Sequence, residues 1–116
     1  MQSAFRVRVA AGPSSAFGAG DPSPEGVHQD AAELTAVLLI DRRNVSAASG
    51  ASRVWSLAQP CGKVRGRGGG IEEDLQHLLT SVVLEERFDT LFVLDREVKH
   101  EALPILARDA TRDARR

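Results

Sequence analysis

The stretch "VLLIDRRNV", residues 37–45, decides how the rest of the chain reads. Val37 to Ile40 form an unbroken apolar run that ends in a carboxylate, Asp41. A short run without alternation suits a strand covered on both faces, as in a parallel sheet. "LFVLD", residues 91–95, repeats the pattern: Leu91 to Leu94 run directly into Asp95. Between the two runs, Ile71, Leu75, Leu78, Leu79, Val82 and Val83 recur at helical spacing, which predicts a helix over 71–87. Glu72, Glu73 and Asp74 fall in its first turn, where the helix dipole favours negative charge. A short helix is expected around Val54 to Ala58, closed by Pro60. Another is expected after Asp95, with Val98, Ala102, Leu103 and Leu106 inward and a kink at Pro104. Strands alternating with helices predict a small α/β domain: an open sheet with a parallel strand pair, joined by a right-handed crossover and packed by helices.

The chain has 116 residues, enough for one small domain. Composition divides it into a disordered extension over 1–34, the α/β domain over 35–107 and a charged tail over 108–116. Within the extension, "FRVRV" alternates as a short strand would, and the Gly-, Pro- and Ser-rich stretch after it reads as linker. With 15 Lys plus Arg against 16 Asp plus Glu, net charge argues for no particular partner. Aromatics make up 4%, so the core is aliphatic, with Trp55 as its expected anchor. Cys61 is the single cysteine; it excludes an internal disulfide and a cysteine metal cluster, and it reads as a loop thiol. The three histidines are far from Cys61 in sequence, and His77 reads as a boundary residue of the apolar stripe. No apolar run approaches the roughly 20 residues of a membrane span. The expected compartment is the cytoplasm; the acid-free start with Arg6 and Arg8 resembles a mitochondrial or plastid transit segment, the alternative address.

In a parallel pair, Asp41 and Asp95 would lie on one sheet edge, where ligand sites of open α/β sheets form. Carboxylates on strands about 4.8 Å apart repel unless a cation intervenes, and a hard divalent ion with oxygen ligands relieves this. The Glu72-Glu73-Asp74 triplet adds acid from a helix start. Turn chemistry and dipole compensation explain the same acids without a metal.

"VLLIDRRNV" resembles the first strand of NYN-type ribonucleases, of the wider PIN-like group, with Asp41 and Asn44 matching its Asp-x-x-Asn pattern. "GIEEDLQHLL" and "LFVLDREVK" look like the acidic helix and the second acidic strand end of that family. The resemblance implies a metal-dependent RNA-cleaving domain using Mg²⁺ or Mn²⁺. Asp41, Asp74 and Asp95 would be its catalytic and metal-site acids, Glu73 a further ligand, and Asn44 an orienting group. Arg42 stands where the family has a small residue, and 45–70 shows no strand where the family has one. An inactive relative is therefore an alternative. The glycine-rich loop "KVRGRGGG" offers Lys63, Arg65 and Arg67 to RNA, or is a solvated loop. Two other readings remain: a non-enzymatic interaction module, or homo-oligomer, using the apolar stripe of 71–87, and a poorly folded small protein.

Overall fold

The computed structural model describes residues 9–11 and 25–116. Among these, seven strands and one 3-10 turn (Leu75–His77) make up the regular structure: β1 (Ala10–Ala11), β2 (Thr35–Leu38), β3 (Ser52–Ser56), β4 (Leu78–Val82), β5 (Thr90–Val93), β6 (Val98–Ala102) and β7 (Ala114–Arg115). They pair as β1–β7, as β2–β5 and as a three-stranded sheet β4–β3–β6, and every pair is antiparallel. Isolated bridges extend them. His28 pairs with His100 on the edge of β6 opposite β3, and Arg43–Arg115 and Val45–Ala107 extend the β1–β7 region. No helix among the described residues is long and apolar enough to cross a membrane.

This architecture corrects the α/β expectation. The apolar runs at 37–40 and 91–94 overlap strands, but those strands pair with each other in opposite directions, Thr35 against Val93 and Leu38 against Thr90. Their lack of alternation does not come from burial on both faces. Leu38 is 48% exposed and Phe92 65%, so apolar side chains line the outward face as well as the inward one. Asp41 and Asp95 follow strands of opposite direction, which removes the shared sheet edge expected for the two carboxylates.

The expected helix over 71–87 is a single 3-10 turn followed by β4. Thr80, Val82 and Val83 are β-branched and fit a pleated surface. The edge of β3 supplies partners for this backbone, Ser52 opposite Val82 and Val54 opposite Thr80. Leu75 and Leu79, the heart of the supposed stripe, are exposed. The stretch after Asp95 is likewise a strand: β6 alternates, with Val98, His100 and Ala102 on one face and Lys99 and Glu101 on the other. The short helix expected around Trp55 is β3 itself. The candidate strand at 5–9 lies outside the described residues except for Val9, as does most of the Gly-, Pro- and Ser-rich stretch.

Two apolar clusters hold these sheets. Val9, Val45, Ile105 and Ala114 form one; Val27, Trp55 and Val64 form the other, with Leu78 packed against it. Trp55 has no exposed surface. Its Nε1–H donates to Glu101 Oε1 (3.1 Å), which satisfies the one polar atom of the ring. Val27 lies in the Trp55 cluster, so the neighbouring residue of the same extended segment, His28, points to the opposite face.

Candidate metal centre

That opposite face carries the candidate site. His100 sits in the middle of β6, opposite Val54 of β3 on one side and His28 on the other. The His28 amide donates to the His100 carbonyl (3.0 Å), and the His100 amide donates back to His28 (2.9 Å). This reciprocal pair puts both imidazoles on one face, with ring centroids 4.5 Å apart. Asp30 is two residues beyond His28, and the period of an extended chain returns it to the same side. Donor atoms of His28, Asp30 and His100 all lie within 4.8 Å of one another.

Local backbone chemistry fixes the first ligand. Gly26 has φ +71°, and a Cβ there would stand 2.3 Å from the Gly62 carbonyl oxygen. Only glycine lets the chain approach Gly62 closely enough for Val27 and Gly62 to exchange their two hydrogen bonds (3.0 and 2.9 Å). The Gly26 carbonyl then accepts from His28 Nδ1 at 2.8 Å. A carbonyl cannot donate, so Nδ1 carries the proton and, in the neutral ring, Nε2 presents a lone pair.

The His28 Nε2 to Asp30 Oδ1 distance is 3.3 Å, and His100 Nε2 lies 3.1 Å from Asp30 Oδ2. Two ligands each about 2.1 Å from one ion and at right angles to one another are about 3.0 Å apart, so these separations fit neighbouring positions on a shared cation. His100 Nε2 is buried and makes no hydrogen bond of acceptable geometry, although Asp30 and Asp95 oxygens are near. A buried ring nitrogen without a partner is costly unless something else occupies its lone pair. Two imidazoles and one carboxylate with open positions form the facial donor set of non-haem Fe(II) oxygenases.

Asp95 stands just behind this set. It is 1% exposed. Its Oδ1 accepts from the Asp30 amide (3.3 Å) and lies 3.0 Å from His100 Nε2, its Oδ2 accepts from the Thr35 hydroxyl, and its carbonyl accepts from Gln29 Nε2 (2.6 Å). Glu25 reaches His28 Nε2 at 3.5 Å from a more exposed position.

The other residues singled out in the sequence have separate neighbourhoods. Asp41 accepts from the Arg42 amide and pairs with Arg43. Asp74 caps the 3-10 turn through the Gln76 amide, receives His77 at 3.5 Å, and its own amide donates to Gln59. Glu73 pairs with Arg53. Asn44 ties its strand to the 109–113 loop. In the basic loop, Arg65 pairs with Glu72 at the surface and Arg67 turns inward onto Glu101 (3.2 Å). The loop is closed at its base by Lys63 and Ile71 and by Arg65 and Ile71. Of all these, Asp95 alone touches the His–Asp cluster.

A concavity of about 320 Å³ is lined by Arg42, Asn44, Val45, Ala47, Glu85 and Arg108. Burial lowers the pKa of Arg42, with Glu85 opposing that shift and Arg108 adding to it. Burial also lowers the pKa of Arg116, and Arg42 adds repulsion. Arg42 is nonetheless held by three backbone carbonyls, those of Leu84, Ser46 and Ser49.

The family model described as 2OG-Fe dioxygenase matches residues 2–116, and the chain belongs to that family. Two solved structures are similar. One is the selenomethionine-labelled Fe(II)/α-ketoglutarate-dependent dioxygenase TqaL, 26% identical with a TM-score of 0.75, covering 94% of this chain and 36% of that one. The other is a bsmA homolog from Methylobium petroleophilum PM1, 29% identical with a TM-score of 0.56, covering 84% of this chain and 33% of that one. The chain thus spans about a third of the length of these structures. No curated protein matches it.

Family and fold together overturn the ribonuclease resemblance: the β-rich architecture resembles a dioxygenase jelly roll, not an NYN or PIN-like α/β domain. The cofactor expectation changes with it, from Mg²⁺ or Mn²⁺ to Fe(II) and 2-oxoglutarate. Sequence reasoning did not bring His28, Asp30 and His100 together as a candidate set. Their signal is present in the sequence: His28-Gln29-Asp30 is a His-x-Asp, and His100 is a distant second imidazole.

Proposed function

We propose that this chain provides the iron-binding part of a 2-oxoglutarate-dependent dioxygenase, with His28, Asp30 and His100 holding Fe(II). The observation that carries the reading is the reciprocal His28–His100 backbone pair. It brings a His-x-Asp segment and a remote histidine within 4.8 Å of one another and leaves His100 Nε2 buried without a hydrogen bond. Bound iron and 2-oxoglutarate would supply the activation of dioxygen. The chain's own contribution is geometric. Gly26 sets the tautomer of His28, the bridge sets the spacing of the rings, and Val54 supports His100 from the next strand. Asp30 is the most exposed of the three, so co-substrate and substrate would arrive from its side.

The test is anaerobic loading with Fe(II), followed by addition of 2-oxoglutarate and oxygen. Metal-dependent conversion of 2-oxoglutarate to succinate, absent in His100→Ala, is the expected result. Wild-type chain that neither binds Fe(II) nor turns over 2-oxoglutarate contradicts the reading.

A further inference from the structure

We infer that Asp95, held by Thr35, is a positioning residue for the metal ligands: it holds the Asp30 amide and the Gln29 side chain and supplies the negative charge that makes the site take a divalent cation. The inference rests on the Fe(II) reading above and adds to it a residue outside the three ligands.

Asp30 needs such support. It is the exposed member of the cluster, and the chain bends away immediately after it, with Ala31 in the left-handed region at φ +54°. A ligand at a strand end loses freedom when it binds, and that loss weakens binding unless the free site is already ordered. Asp95 orders it from two directions, its carboxylate holding the Asp30 amide and its carbonyl the Gln29 side chain. The anchor itself is tied into a strand pair. Asp95 lies just beyond β5, which is paired residue for residue with β2, and Thr35 at the start of β2 donates to its other oxygen.

Charge points the same way. A wholly buried carboxylate is costly unless paired. Among the described residues, the ion-pair partner of Asp95 is the His100 ring, whose Nε2 is 3.0 Å away. That nitrogen belongs to the proposed metal site. A divalent ion on His100 would place positive charge beside Asp95 and offset its burial. Asp95 itself stands outside the set of donors that are mutually within 4.8 Å, so the geometry gives it a supporting place and not a fourth ligand's.

The test uses Co(II) as an anaerobic probe for the iron site, with affinity read by titration and coordination read by the visible ligand-field spectrum. Asp95→Asn keeps the shape and removes the charge; its Co(II) affinity should fall about 10- to 100-fold, the usual effect of losing a group that supports metal ligands. Thr35→Val should weaken binding in the same direction, and Thr35→Ser should restore it. A merely structural role would lower the melting temperature of the metal-free protein while leaving affinity and spectrum unchanged. Wild-type affinity and spectrum in folded Asp95→Asn would overturn the inference. Should that variant not fold, wild-type affinity in Thr35→Val would overturn it equally. Failure of the wild-type chain to bind Co(II) would overturn the Fe(II) reading itself, and this inference with it.

Discussion

His28 and His100 donate to each other's backbone carbonyls across one antiparallel bridge, and their rings meet 4.5 Å apart on the face opposite Trp55. The candidate metal site is therefore a feature of strand register. A one-residue slip would turn His100 toward the Trp55 core and Glu101 toward the ligands.

Gly26 sits at the start of this register. Gly26→Ala places a methyl group against the Gly62 backbone at positive φ. We expect a loss of about 2–3 kcal/mol in denaturant unfolding, together with weaker metal binding because His28 loses its fixed tautomer. Unchanged stability would show that the Val27–Gly62 approach is not needed.

The face behind the site depends on a buried carboxylate. Glu101 is 4% exposed and is held by Trp55 Nε1 and Arg67. Arg67→Ala leaves that charge without its cation and should cost about 2–4 kcal/mol, somewhat less than a fully buried pair because Arg67 is partly solvated. Arg65→Ala breaks a pair whose side chains are 70% and 72% exposed and should change stability by less than about 1 kcal/mol. Equal costs for the two variants would refute the contrast.

Asn44 has φ +53°, and its side chain donates to the carbonyls of Asp109, Arg112 and Asp113 while accepting from the Asp109 amide. Asn44→Ala should destabilise the chain by about 1–3 kcal/mol and speed amide exchange across 109–113. Asn44→Gly, which tolerates the backbone angle, should lose less stability and show the same faster exchange.

The Asp109 carboxylate is held below the usual range, first by the Thr111 hydroxyl and then by the Thr111 amide. A carboxylate with a depressed folded pKa adds stability that is fully present above its unfolded pKa and is lost as pH falls through the folded value. Acidification should therefore loosen the 109–113 loop. Thr111→Val removes the larger cause, so NMR titration should show the Asp109 pKa rising toward that of an ordinary aspartate. No change would place the cause elsewhere.

Much of this fold lies beyond what local pattern can report. The apolar runs at 37–40 and 91–94 mark strand positions well. Their direction is not legible in the sequence, because Leu38 and Phe92 supply apolar residues to an exposed face, which hides the alternation typical of antiparallel sheet. Ile71 to Val83 carries a helical spacing that tertiary pairing with β3 overrides. The His28–Asp30–His100 cluster is not legible for a related reason: His28 and His100 become neighbours only through long-range register, and a lone histidine in a sequence says nothing of its partner. Asp95 is legible as an acid after an apolar run, and it is that run's pairing with β2 that brings it beside Thr35 and the His28–Asp30–His100 cluster.

The most direct measurement is an anaerobic Fe(II) or Co(II) titration of the full chain alongside His28→Ala, Asp30→Ala, His100→Ala and His77→Ala. The account predicts one ion per wild-type chain, the same for His77→Ala, and no binding at those concentrations for the other three. Undiminished binding in folded His28→Ala or His100→Ala would contradict it.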